Sequence, residues 1–180
     1  MMTVLSRAAA RVARTEPVGA DAALSELHRS HYRRCLRLAA MLVDDPASAE
    51  DVVQEAFVNV YRSWDKVRSL DAAPAYLRSA VLNTARSRLR RRQTAAKHPV
   101  APPGVAAGAD HYVLANERQQ HLIEALRALP RRQRECVTLR YYEELSEQET
   151  SVALGVSIGA VKSNTSRGLA ALASYMEDSR

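Results

Sequence analysis

Residues 144–176 read ELSEQETSVALGVSIGAVKSNTSRGLAALASYM, and this stretch sets the architecture. Ser146 with Glu149 three positions on is a capping box, which marks a helix start by satisfying two orphan N–H groups reciprocally. Gly155 stands where the chain must turn, and Ser157 is placed to cap the next helix. In that final helix Val161, Thr165, Leu169 and Leu172 make one inner stripe at helical spacing. Lys162, Ser163, Ser166 and Arg167 fall on the opposite face. A capped helix, a glycine turn and a second helix with cations and hydroxyls outward is the helix-turn-helix pattern. Short hydroxyls and long cations near a helix N-terminus suit base edges and phosphates in a major groove.

Upstream, the same helical periodicity continues. Helices are expected over about 114–128 and 131–142, completing a second module of residues 114–177. Before it, residues 94–113 (TAAKHPVAPPGVAAGADHYV) carry three prolines and two glycines, the composition of a flexible linker. A first module, residues 21–93, reads as three helices. Asp45 is the expected N-cap of its second helix, with Pro46 as first residue. Val53, Phe57, Val60 and Trp64 form the buried stripe there, and Leu77, Val81, Ala85 and Leu89 that of the third. Residues 1–20 read as a flexible tail. No segment alternates as a strand, so the fold class is all-α, two small helical domains joined by a linker.

Charge divides the first module. The net charge of +6 is a moderate sign of an anionic partner. Its distribution says more. Leu38 to Tyr61 holds no Lys or Arg but has Asp44, Asp45, Glu50, Asp51 and Glu55; Ala72 to Ala109 holds no Asp or Glu but has six arginines and Lys97. Five of those arginines lie between positions 86 and 92, where like-charge repulsion weakens a helix unless something negative meets it. On this third helix Ser79, Asn83, Arg86 and Arg90 project away from the Leu77 stripe. On the acidic helix Asp51, Gln54, Glu55, Val58 and Arg62 lie opposite Phe57. An acidic face beside a basic one implies two different partners.

Other classes of function find little support. Cys35 and Cys136 lie far apart in apolar patterns and read as buried free thiols. His28 and His31 read as helix-surface histidines rather than a metal pair, and no phosphate loop or catalytic constellation is present. No cofactor, metal or catalytic residue is expected. A helix-turn-helix repressor would explain the second module but not the paired acidic and basic helices, and an RNA-binding or structural helical protein would explain the arginines but not the capped helix-turn-helix. The apolar runs are too short for a membrane span, and a cytoplasmic location is expected.

DDPASAEDVVQEAFVNVYRSW, AYLRSAVLNTARSRLRRR and LPRRQRECVTLRYYEELSEQETSVALGVSIGAVKSNTSRGLAAL occur in this order. Together they resemble the extracytoplasmic-function group of bacterial RNA polymerase sigma factors. The resemblance implies that the first module is region two and the second region four. It implies further that Asp51, Gln54, Glu55 and Val58 contact the polymerase core, whose β′ and β subunits become partners. Arg78, Asn83, Arg86 and Arg90, with loop residues Arg68 to Asp71, would serve the −10 element and its melting. Lys162, Ser163, Ser166 and Arg167 would read the −35 element as duplex. Promoter DNA is then the second partner, and an anti-sigma factor is one that members of the group often take. The chain departs from the group at Ala160, where threonine is usual, at Thr150 and Ser151, where an aliphatic residue and alanine are usual, and at Ala75-Tyr76, where Thr-Trp is frequent.

Overall fold

A computed structural model describes residues 20–45, 47–97 and 117–178, and no strand occurs among them. The first module comprises α1 (Ala20–Leu42), α2 (Ala47–Arg62) and α3 (Ala73–Lys97). The second comprises α4 (Glu117–Ala128), α5 (Arg131–Val137), α6 (Glu147–Leu154) and α7 (Ile158–Asp178). Residues 1–19 of the expected 1–20 tail, the place of Pro46 and most of the expected linker lie outside the described residues, and Ala20 is the first residue of α1. α3 runs on to Lys97, into the segment read as linker, because Gln93 to Lys97 lacks any helix breaker before Pro99.

Local chemistry accounts for the ends of these helices. The Asp45 carboxylate accepts from the Ala47 N–H at 3.1 Å and from the Ser48 hydroxyl, so it caps α2. α2 stops at Arg62, and Trp64 lies on a 3-10 turn, Trp64–Lys66, rather than in the α2 stripe. There it is half-buried against the core of the first module, in an apolar recess it shares with Ala23, Leu27 and His31 of α1. A second 3-10 turn, Leu70–Ala72, leads into α3, and Ser69 Oγ accepts from the Ala72 N–H at 3.3 Å. Val52, Val53, Val60, Leu38, Leu77 and Val81 are fully enclosed between α1, α2 and α3.

In the second module, the helix expected to run straight from 131 to 142 widens after Val137 into a π-helical turn, Thr138–Tyr142. The Glu143 N–H reaches back five residues to the Thr138 carbonyl at 3.2 Å. Glu144 follows at φ 56, and Arg140 donates to the Leu145 carbonyl across the bend. The capping box is complete: Glu149 N–H donates to Ser146 Oγ at 3.1 Å, and Ser146 N–H to Glu149 Oε2 at 2.7 Å. Gly155 ends α6 at φ 63, ψ 41, the left-handed conformation that glycine takes without a Cβ clash. Ser157 Oγ caps α7 by accepting from the Ala160 N–H at 3.2 Å.

The two departures in α6 have opposite outcomes. Ser151 Oγ donates to the Val156 carbonyl at 2.6 Å and so ties the turn. Thr150 is 0% exposed and its hydroxyl has no hydrogen-bond partner among the described residues. Replacing a buried, unpartnered hydroxyl by a methyl of similar shape removes a desolvation cost. Thr150→Val is therefore expected to stabilise the fold by about 1 kcal/mol, a rise in Tm of roughly 2–4 °C by calorimetry. A lowered Tm would show that the hydroxyl is satisfied after all.

Candidate nucleic-acid interface

The outer face of α7 follows from its inner stripe. Val161 is fully buried and Leu172 nearly so, while Thr165 and Leu169 are half-buried. One residue after Val161, Lys162 is exposed, with its Nζ 3.5 Å from Glu147 of α6. Ser166 and Arg167 are exposed and Ser163 half-buried, so the four expected residues occupy one accessible face. Arg167 makes no ion pair among the described residues. An exposed helix face carrying two cations and two hydroxyls can bind phosphate oxygens and accept or donate to base edges.

On α2, Asp51, Gln54 and Val58 are exposed and Glu55 is half-buried, all on the side opposite buried Val53 and Phe57. The acids are not free. Asp51 Oδ2 lies 2.7 Å from Arg88 Nη2, Glu55 Oε1 3.7 Å from Arg91 Nη2, and Asp45 Oδ2 2.6 Å from Arg92 Nη2. α2 and α3 thus neutralise one another along a ladder of solvent-screened pairs. Sequence reading separated the two faces by partner and missed this pairing. The i,j contacts between antiparallel helices have no sequence spacing to reveal them.

The expected α3 residues divide in two. Asn83 and Arg90 are exposed. Asn83 lines a cavity of about 340 Å³ between α2 and α3, together with Asn59, Ser63, Tyr76 and Ser79. The loop residues Arg68 to Asp71 are all exposed. Arg78 and Arg86, in contrast, face the second module. Arg78 Nη1 stands 3.6 Å from Glu143 Oε2. Arg86 grips Glu135 of α5 with Nε at 3.0 Å and Nη2 at 3.2 Å, the bidentate fork geometry that guanidinium favours. It also donates to the carbonyls of Ala153 and Leu154 at the end of α6, at 3.3 and 3.4 Å.

Glu135 is 2% exposed and receives Arg131 at 3.0 Å and Arg132 at 2.9 Å besides Arg86. Burial pushes its carboxyl pKa up, but the hydrogen bonds from Arg86 and Arg131 outweigh it, and the group titrates below the usual carboxylate range. Other cross-module contacts surround this one. Arg34 donates to Glu143 at 3.3 and 3.4 Å, and Arg37 Nε to Tyr142 Oη at 3.0 Å. Arg127 of α4 donates to the Val43 and Ala40 carbonyls at 3.3 Å, satisfying the C-terminal end of α1. Buried Arg134 brings Nη1 to 2.8 Å from Asp44 Oδ1, off the N–H axis, so this is an ion pair without an aligned hydrogen bond.

Cys35 and Cys136 are free and buried, and burial pushes the Cys35 thiol up to about 12. His28 stacks on Tyr32, with centroids 4.7 Å apart. No cluster of metal-ligating residues and no helix long and apolar enough to cross a membrane occurs among the described residues.

Comparison with known proteins accords with this geometry. Residues 27–95 match Sigma-70 region 2, and residues 119–172 match Sigma-70, region 4. An RNA polymerase sigma-E factor of Streptomyces avermitilis is 36% identical over 152 residues, covering 84% of each chain. The ECF RNA polymerase sigma factor SigM of Mycobacterium tuberculosis is 33% identical over 156 residues, covering 84% of this chain and 76% of that one. Among solved structures, the sigma factor RpoE of Bartonella quintana, in complex with the anti-sigma factor NepR, superposes with a TM-score of 0.67 at 25% identity. That match covers 87% of this chain and 97% of the other. With region 2 and region 4 matched in order and relatives of this identity over most of its length, the chain belongs to the extracytoplasmic-function group of RNA polymerase sigma factors.

Proposed function

We propose that this sigma factor selects promoters by reading a −35 element as duplex through α7 and a −10 element through α3, helping to separate the −10 strands while α2 holds core polymerase. One observation carries the reading: an exposed acidic and apolar face and two exposed faces of cations and hydrogen-bonding groups sit on separate helices of one chain. On this reading residues 21–93 are region two, 94–113 the tether and 114–177 region four, with 1–20 a tail. With α3 continuing to Lys97, residues 98–113 fully extended reach roughly 53–58 Å, short of the 70 Å or so of two duplex turns, so the width of the modules must cover the remainder.

Each face suits its share of the task. Asp51, Gln54 and Glu55 offer charge and hydrogen bonds around Val58, which is 46% exposed and supplies apolar contact to the β′ subunit. Arg78, Arg86 and Arg90 neutralise phosphate, and guanidinium planes stack on bases that have lost their partners. The polar cavity beside Asn83 is open to solvent and lined by amide and hydroxyl groups with the Glu55 carboxylate at its α2 side, donors and acceptors that suit the edge of an unpaired base. Lys162, Ser163, Ser166 and Arg167 take the −35 duplex. The RpoE relative was solved with an anti-sigma factor, and a partner of that kind, covering the same faces, fits this chain too. Catalysis belongs to the polymerase, and the working location is the cytoplasm.

Run-off transcription of genomic DNA with purified core enzyme tests this. Transcripts should start downstream of shared −35 and −10 sequences, and output no different from core alone would remove the reading. Arg167→Ala should weaken binding of the holoenzyme to duplex −35 DNA about tenfold and lower the salt slope by about one, as loss of a single phosphate contact does.

A further inference from the structure

We propose that the two modules clasp each other in the free chain through Arg86–Glu135 and Arg34/Arg78–Glu143, so that arginines destined for DNA are hidden until the clasp opens. The masking half of this rests on the role given to α3 above; the clasp itself does not.

Geometry makes the two uses of Arg86 exclusive. Its side chain is 18% exposed, and three of its nitrogens are spent on Glu135 and on the Ala153 and Leu154 carbonyls. A phosphate oxygen needs the same N–H groups from the same side. Those carbonyls belong to the last two residues of α6, directly before the Gly155 turn, so the contact also fixes the helix-turn-helix against α3. Both halves of the promoter-reading surface are therefore held in one arrangement, with α3 turned toward α5 rather than outward.

The clasp is also built to open. Glu135 keeps Arg131 and Arg132 when Arg86 leaves, so its buried carboxylate is never left uncompensated, which is the usual large cost of breaking such a pair. Arg34 and Arg78 are 49% and 29% exposed and pass readily into water. On the far side of the junction, apolar packing is incomplete. Met41 of α1 faces Leu122, Leu126 and Tyr141 across a cleft of about 300 Å³. One hydrophobic core also runs from α1 into α4 and α5, so opening exposes some apolar surface. The arginine–carboxylate pairs are the part of the junction that can exchange one set of anions for another, and DNA supplies a denser set.

The test uses the full chain with donor and acceptor dyes on Asp65→Cys and Gln148→Cys, both exposed and one on each module. Glu135→Gln and Glu143→Gln, made separately and together, keep side-chain shape while removing charge. Transfer efficiency should fall in each, most in the double variant. Affinity of the free protein for a single-stranded DNA oligonucleotide should rise about tenfold, with helicity unchanged by circular dichroism. Should Glu135→Gln fail to fold, Glu143→Gln and a salt titration of the unsubstituted chain give the same reading. Transfer that stays constant through all of these would overturn the clasp. Transfer that falls with no gain in DNA affinity would overturn the masking. A failed run-off experiment alongside a positive transfer result removes the promoter role and leaves the clasp standing.

Discussion

Asp51→Lys combined with Glu55→Lys is expected to weaken association with core polymerase at least a hundredfold while the chain stays folded. The structural cost is small. The Asp51–Arg88 and Glu55–Arg91 pairs are exposed, with carboxylates 57% and 42% accessible, and pairs of that kind contribute about 0–1 kcal/mol each. At a protein interface the same reversal places like charges face to face, which costs several kcal/mol, and about 2.7 kcal/mol already corresponds to a hundredfold. A pull-down or biosensor measurement with core enzyme, beside a thermal melt, separates the two effects. The ladder adds a second expectation. Arg88 and Arg91 compete for the carboxylates that polymerase would take, so Arg88→Ala with Arg91→Ala should raise core affinity a few fold. Unchanged association in the lysine variant would remove α2 as the docking face.

What was legible in the sequence was local. Ser146, Glu149, Gly155 and Ser157 announce the helix-turn-helix because caps and turns are made by residues within a few positions of one another. The helical wheel placed Asn83, Arg86 and Arg90 off the Leu77 stripe, and that is where they stand. It could not say what Arg86 would meet, since Glu135 lies 49 residues away across the tether. The π turn was hidden for a similar reason. Thr138–Tyr142 has ordinary helical composition, and Tyr142 meets its partners on α1, over a hundred positions away: its hydroxyl donates to the Arg34 carbonyl at 3.2 Å and accepts from Arg37. Trp64 obeyed the apolar period and still left the helix, because periodicity tells which side is buried and not where hydrogen bonding stops.

Gly168 was the least legible position and sets the second large effect. In sequence it is an interruption of α7, where glycine is about 1 kcal/mol worse than alanine. In the fold it is buried where α7 crosses α5. A Cβ there would lie 2.7 Å from Val137 Cγ2, 3.3 Å from Gln133 Cβ and 3.4 Å from the Gln133 carbonyl. Val137 cannot swing aside, since a β-branched residue in a helix has essentially one rotamer. The helices themselves must part. Gly168→Val should therefore destabilise the second module by about 3 kcal/mol, roughly 6–12 °C in Tm, the upper range for overpacking. With α7 displaced from α5, holoenzyme binding to duplex −35 DNA should be lost, while association with core polymerase through α2 falls far less. Gly168→Ala should lie between the two, as its gain in helix propensity opposes the clash. If Gly168→Val melted like the unsubstituted chain, the close crossing of α5 and α7 would have to be abandoned, and with it the orientation assigned to Lys162 and Arg167.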